Sequence, residues 1–348
     1  MSRLVKRRAA NTKLNLPDSM HPLLKRVYSQ RNINDVEELE LGLEKLIPPE
    51  QFKGINEAVQ LLIDALQRQQ RVLIVADFDA DGATSCVVAL KALRQFGFQH
   101  TDYIVPNRFD YGYGLTSEIV ELAKTRNPDL IITVDNGISS IEGVAAAKSA
   151  GIKTLITDHH LPGASAPDAD AIVNPNQHGC NFPSKSIAGV GVIFYVMLAL
   201  RAKLREMKWF EENSIAEPKL ADLLDLLALG TVADVVALDR NNRILVSEGL
   251  RRIRAGRTRP GITSLLEIAG RSSARLTASD LGFSVGPRLN AAGRLDDMST
   301  GIECLLTDHE STAYKLALQL DAMNKDRKQI EGDMREQAFN FLQEFSLE

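Results

Sequence analysis

Cysteine is scarce in this chain. Its 348 residues include three, Cys86, Cys180 and Cys304. They are odd in number and far apart, which excludes a disulfide framework and fits a reducing cytoplasm. Long apolar runs are also missing. The most apolar stretch, residues 187–200, contains glycine and falls short of the roughly 18 residues that a membrane span needs. The basic opening MSRLVKRRAAN leads into no apolar run, so it lacks the pattern of a secretory signal. Positive charge is not in excess either. Lys and Arg total 41 against 45 Asp and Glu, for a net charge of −4, so bulk charge does not mark a nucleic-acid binder. No repeat of solenoid period is visible.

What remains is an ordinary globular composition, 44% hydrophobic and 25% charged, with enough length for two domains or one large domain with an extension. Local charge is less even than the total. Arg3, Lys6, Arg7, Arg8 and Lys13 crowd the start, and Arg251, Arg252, Arg254, Arg257 and Arg259 crowd a later segment. Each cluster suits either phosphate contact or a solvated surface.

Residues 1–50 read as a basic arm with short helices, closed by Pro48-Pro49. An amphipathic helix is expected over 56–69 and a short buried strand over 71–76, RVLIVA. The alternation continues with a helix at 83–96, strands at 102–106, 129–134, 152–157 and 171–175, and helices at 117–125 and 139–150. Continuous apolar strands alternating with helices predict an α/β fold, a parallel sheet with helices on both faces. That part spans 51–185. A mainly helical part over 186–309 follows, with helices expected at 187–208, 219–230, 242–254 and 262–269. Residues 310–348 read as a long, polar connecting helix, either truncated or docked.

The acids fall at strand ends. RVLIVA runs into Asp77-Phe78-Asp79-Ala80-Asp81-Gly82, DLIITV into Asp135-Asn136-Gly137, and IKTLIT into Asp158-His159-His160. In an open parallel sheet, ligands bind outside the carboxyl ends of the strands. One acid there is often only a helix N-cap. Five on one rim repel one another and raise their pKa values unless cations intervene. Oxygen and imidazole donors without thiolate favour Mn²⁺ or Mg²⁺, and two such ions suit in-line phosphoryl chemistry. A calcium-binding EF-hand loop is excluded, because its twelfth position from Asp77 is Val88 where glutamate is needed.

Asp158-His159-His160 resembles the motif that names the DHH phosphoesterases. With it, ADFDADGATS (76–85), VPNRFDYGYGL (105–115), VDNGI (134–138), TDHHLPG (157–163), SIAGVGVIFYVMLALR (186–201), GTVADVVALDRNNRILV (230–246) and GPRLNAAGR (286–294) are similar to successive motifs of the RecJ family, in the same order. The resemblance covers about residues 40–330. It implies the DHH phosphoesterase fold and a two-metal centre binding Mn²⁺ or Mg²⁺. Asp79 and Asp135, assisted by Asp77, would hold one ion. Asp81, Asp135, His159 and Asp234 would hold the other, with Asp135 shared. His160 would face the scissile phosphate and Asp158 would orient a histidine. Many relatives carry histidine where Val75 stands, and Asp77 is the candidate substitute.

Around this centre, Arg108 is a candidate phosphate clamp, and Tyr111 and Tyr113 suit either base stacking or an exposed turn. Arg288, Asn290 and Arg294 in GPRLNAAGR suit DNA phosphate, with a structural ion pair as the competing use of the arginines. Gly189 and Gly191 suit either backbone N–H groups aimed at a phosphate or close helix packing. His178-x-Cys180 and Asp308-His309 lack partners at metal-like spacing.

The resemblance implies metal-dependent 5′→3′ exonuclease action on single-stranded DNA in repair and recombination, in the cytoplasm. A single-strand binding protein and a helicase are implied as partners, with no membrane. Two alternatives stay open: a DHH-type phosphatase for short oligonucleotides or cyclic dinucleotides, and a weakly active truncated scaffold. Relatives carry DHHA1 and OB-like domains, whose signatures do not appear here.

Overall fold

The computed structural model describes residues 15–31, 33, 35–107 and 112–345. Among the described residues, the arm forms helix α1 (Pro22–Ser29) and three single 3₁₀ turns. The arm lies along the helical half. Arg243 reaches the Glu38 carboxylate at 3.2 Å, and the N–H of Ile47 donates to Asn241 Oδ1 at 3.3 Å.

The α/β half follows in sequence: α2 (Ile55–Gln67), β1 (Val72–Ala76), α3 (Ala80–Phe96), β2 (Thr101–Ile104), α4 (Ser117–Lys124), β3 (Leu130–Val134), α5 (Ile141–Ser149), β4 (Lys153–Thr157) and β5 (Ala171–Val173). All pairings are parallel and the strand order is β2-β1-β3-β4-β5. The central strands are apolar and covered on both faces, so their side chains divide between two cores by alternation. Leu73, Val75, Ile131 and Ile156 face α4 and α5. Val72, Ile74, Ala76, Leu130, Ile132, Val134 and Leu155 face the larger core. Strand order reverses between β1 and β3, the topological switch point at which a doubly wound sheet opens a crevice.

The helical half comes next as α6 (Gly189–Glu206), α7 (Leu224–Ala233), α8 (Arg240–Arg254), α9 (Pro260–Ile268), α10 (Gly286–Leu295), α11 (Ser299–Leu306) and α12 (Glu310–Phe345). Helix α3 packs against α6, α7 and α11, so one hydrophobic core runs unbroken from the sheet into this half. The expected boundary at 185/186 falls between β5 and α6. Helix α12 starts where the expected connecting helix does and docks its first half on α9, α10 and α11.

Two stretches differ from expectation. The helix expected at 219–230 begins as a 3₁₀ turn, Leu220–Leu223, and the α-helix continues to Ala233. The sequence pattern predicts no helix over 278–306, yet these residues form a short turn, a π-helical segment Leu281–Val285, and then α10 and α11. Gly286 and Pro287 argue against a helix, but the helical run is continuous and its wider π-helical turn lies directly before the proline. Among the described residues no helix is long and apolar enough to cross a membrane.

Candidate metal centre

The crevice at the switch point gathers the strand-end acids. β1 hydrogen-bonds one residue past its end, Asp77 N–H to Val134 O at 3.3 Å, which fixes where its acidic loop departs. Asp79 caps α3, its Oδ1 accepting from Asp81 N at 2.8 Å and Gly82 N at 3.0 Å. The N-cap reading of Asp79 is therefore compatible with a ligand reading, since Oδ2 is left over. Asp81, in the first turn of α3, is fully buried. Its carboxylate accepts the first N–H groups of α6, from Gly189 at 2.6 Å and Val190 at 2.9 Å. Those N–H groups serve Asp81 and not a phosphate. A side chain at Gly189 would put its Cβ 2.6 Å from Asp135 Oδ1, so only glycine lets the helix approach this closely.

Asp135 turns out of β3 in the left-handed region, φ 61°, a conformation aspartate tolerates better than most residues. Asn136 steadies the bend, its Nδ2 donating to Val75 O and Val134 O at 3.1 and 2.9 Å. After β4, Asp158 is a buried hub. Its Oδ1 accepts from the backbone of His159 (2.7 Å) and His160 (3.1 Å) and from His160 Nδ1 (2.7 Å), while Oδ2 accepts from Ile138 N at 2.9 Å. Two asparagines just after β5 hold the same turn from outside. Asn176 Nδ2 donates to His159 O at 2.6 Å and Asn174 Nδ2 to His160 O at 3.0 Å. Sequence reasoning missed Asn136, Asn174 and Asn176. The one available signal was amides placed one to three residues past a strand, which also reads as a plain turn.

Asp234 arrives from the helical half, at the C-terminal end of α7. The next residue, Val235, is a β-branched side chain at φ 63° and 85% exposed, strained with no packing to compensate. His159 Nε2 then lies 3.1 Å from Asp135 Oδ1, 3.5 Å from Asp234 Oδ2 and 3.9 Å from Asp81 Oδ2. Asp135 Oδ1, His159 Nε2 and Asp234 Oδ2 are buried and have no hydrogen-bond partner among the described residues. Buried polar atoms are almost always paired, so three that converge without partners fit a cation. Ligands about 2.1 Å from one octahedral ion stand about 3 Å apart, close to the spacing of Asp135 and His159. Asp77, Asp79 and Asp135 form a second group whose ligand atoms lie within 4.8 Å of one another, as do Asp135, His159 and His160.

The electrostatics agree with this fit. Burial, then the charge of neighbouring carboxylates, pushes Asp77, Asp81 and Asp234 up to about 7, and Asp135 well above its ordinary value. Burial lowers His159, keeping its imidazole neutral as a ligand must be. The Asp158 hydrogen bond raises His160 to about 9, so it is a cation at neutral pH. Burial opposes ionisation of Asp158, but the His160 hydrogen bond and charge prevail and hold it below its usual value. Burial and the surrounding acids keep the Tyr113 phenol protonated far above its normal range. A groove of about 550 Å³ opens beside His160, lined by Tyr113, Thr116, Ser139, Glu142 and Asp158 among others.

The outer candidates fare differently. Arg108 and Tyr111 lie outside the described residues. Tyr113 turns its hydroxyl to His160 and the Asp135 carbonyl, each at 3.3 Å. Arg288 is engaged by Asp321 of α12 at 2.8–2.9 Å and by Ser284 O at 2.6 Å, which is the ion-pair use of this residue. Asn290 Oδ1 accepts from Ala80 N at 2.7 Å, supporting the start of α3. Arg294 is exposed and forms no ion pair among the described residues. In the later arginine cluster, Arg251 pairs with Glu248, Arg252 with Asp222 and Arg259 with buried Asp225, while Arg254 bonds Leu276 O. These charges are largely used internally. His178-x-Cys180 and Asp308-His309 join none of the metal-type groups among the described residues.

Residues 71–231 match the model of the DHH family, N-terminal domain. The chain is 55% identical over 336 residues to the single-stranded-DNA-specific exonuclease RecJ of Salmonella typhimurium, covering 97% of this chain and 58% of that protein. It is 34% identical to the Bacillus subtilis protein of the same name, covering 96% of this chain and 41% of the other. The chain thus spans well under two thirds of the length of these relatives. Among solved structures, exonuclease RecJ bound to manganese aligns with a TM-score of 0.71 and 32% identity over 82% of this chain and 69% of the other. RecJ of Thermus thermophilus in complex with Mn²⁺ aligns with a TM-score of 0.73 and 30% identity over 89% of this chain and 43% of the other.

Proposed function

Because this chain belongs to the RecJ family of DHH-domain proteins, we propose that it is a metal-dependent phosphodiesterase acting as a 5′→3′ exonuclease on single-stranded DNA in repair and recombination. One observation carries the chemistry: Asp135 Oδ1, His159 Nε2 and Asp234 Oδ2 meet in a buried crevice with no other partner among the described residues. Asp77, Asp79 and Asp135 would hold one divalent cation, Mn²⁺ or Mg²⁺. Asp81, Asp135, His159 and Asp234 would hold the other. Two such ions, when bound, would neutralise the acids, lower the pKa of a bound water and counter the charge on the leaving oxygen.

The chain's own residues supply the rest. Asp81 is aimed by the α6 N-terminus, where the helix dipole favours its anionic form. His160, charged and anchored by Asp158, would set its positive charge opposite a phosphoryl oxygen. The groove beside it falls within the size range of small-ligand sites, which supports binding of a terminal nucleotide there. Arg108, Tyr111 and Arg294 remain proposed strand contacts, and Arg288 is assigned to the fold.

Single-stranded DNA is the proposed substrate. A single-strand binding protein and a helicase are proposed partners, to be sought by co-purification. The buried, unpaired thiols support a reducing compartment such as the cytoplasm. The decisive assay follows 5′- and 3′-labelled single strands and duplex with Mn²⁺ and with Mg²⁺. Mononucleotide release from the 5′ end of single strands is expected. Preference for dinucleotides over long strands would replace this reading with the oligonucleotide phosphatase, and inertness of Asp79, Asp135 and His159 to alanine substitution would reject the site.

A further inference from the structure

Tyr113 returns an aromatic side chain from the β2–α4 segment to the rim of the acid cluster. Its ring is half exposed and meets both Phe78 and His160 edge-on, with centroids 6.1 and 5.8 Å away. Its hydroxyl lies 3.3 Å from the backbone carbonyl of Asp135 and 3.3 Å from both ring nitrogens of His160.

The donor and acceptor roles here are constrained. His160 Nδ1 is 2.7 Å from Asp158 Oδ1, a buried carboxylate that can only accept, so Nδ1 carries a proton. Nε2 is the nitrogen left for other partners. A hydroxyl both donates and accepts, so it can serve Nε2 in either protonation state, while the Asp135 carbonyl can only accept. One oxygen therefore ties the left-handed bend at Asp135 to the His160 imidazole.

We propose that Tyr113 is a positioning residue whose hydroxyl sets the placement of His160 relative to Asp135. The function of this side chain lies in its oxygen and not in stacking of its ring. This role rests on the proposed phosphodiesterase chemistry for its kinetic consequence, but the contact itself can be tested without it.

Tyr113→Phe removes the oxygen and keeps the ring. With Mn²⁺ and a single-stranded oligonucleotide, its kcat is expected to fall by about tenfold or more with KM within about twofold, the pattern of a lost transition-state interaction. In a His160→Ala background the same substitution should change the residual rate no further, because coupled residues are not additive. In the metal-free protein, long-range ¹⁵N spectra of the six histidines should show the His160 ring signals, identified by their loss in His160→Ala, displaced in Tyr113→Phe. Unmoved His160 signals together with wild-type kcat would overturn the proposal, and a raised KM in Tyr113→Ala alone would assign the ring to stacking. A wild-type protein that cleaves no strand would defeat the functional reading, while the imidazole signals would still decide the contact.

Discussion

The carboxylate of Asp81 lies 2.6 Å from the backbone nitrogen of Gly189, so a buried acid of α3 is capped onto the first turn of α6. The same glycine presses its Cα against Asp135, leaving no room for a methyl group. Gly189→Ala is expected to displace both carboxylates at once. Mn²⁺ affinity measured by calorimetry should fall by at least about tenfold, with a loss of about 1–3 kcal/mol in stability from overpacking. Wild-type Mn²⁺ binding in that variant would show that the helix does not position the acids.

The raised acids make the metal-free protein sensitive to pH in a specific direction. Asp77, Asp81 and Asp234 reach about 7 in the folded state, against ordinary carboxylate values near 4 when unfolded. Between those values the folded protein binds more protons than the unfolded one, so stability falls as pH rises from about 4 to about 7. His160 works within a different window. Raised to about 9, it contributes stability below its unfolded value near 6.5 and loses that contribution as pH passes about 9. Thermal melts of chelated protein should therefore show Tm declining from pH 5 to 8. Added Mn²⁺ should reverse the decline, with protons released on binding. A flat apo profile would contradict the burial of these acids.

Arg288 spans from α10 to Asp321 on α12, with both side chains largely shielded. Arg288→Ala leaves that acid without its guanidinium partner, although Lys325 also reaches it. Denaturant midpoints should report a loss of about 2 kcal/mol, below the range for fully buried pairs because of that second cation. Intact stability with weakened strand binding would instead return this arginine to phosphate contact.

Val235 sits in the left-handed region directly after Asp234, its side chain in solvent. Such strain costs on the order of 1–3 kcal/mol and collects at functional sites. Val235→Gly should relieve it. The variant is expected to be more stable by about 1 kcal/mol or less, since glycine also loses more chain entropy. Its Mn²⁺ affinity should drop because Asp234 is held less firmly. Unchanged affinity would make the strain incidental.

The strand-end acids were legible because a parallel sheet leaves few places for them. An apolar run of five or six residues ending in aspartate puts that residue on the ligand-binding rim whatever the details of packing. The partners of Arg288 and of the α6 N-terminus were not legible. Asp321 lies 33 residues from Arg288, and Asp81 lies 108 from Gly189. Nothing local tells which arginine or glycine meets which acid. The stretch 278–306 escapes a local reading for a different reason. Its glycines and proline lower helix propensity, yet Gly293 must be glycine because a Cβ there would fall 1.7 Å from the Phe78 carbonyl. Tertiary packing against the acidic loop overrides the local preference.

Asp234 is contributed by a helix beyond the sheet, whereas Asp81, Asp135 and His159 come from the sheet and the first helix after β1. Any cation gripping all four would act as a rivet across the seam between the two halves. Chelators would then do more than silence chemistry: they would loosen that seam, and susceptibility to proteolysis in the 234–239 linker would report the occupancy of the centre.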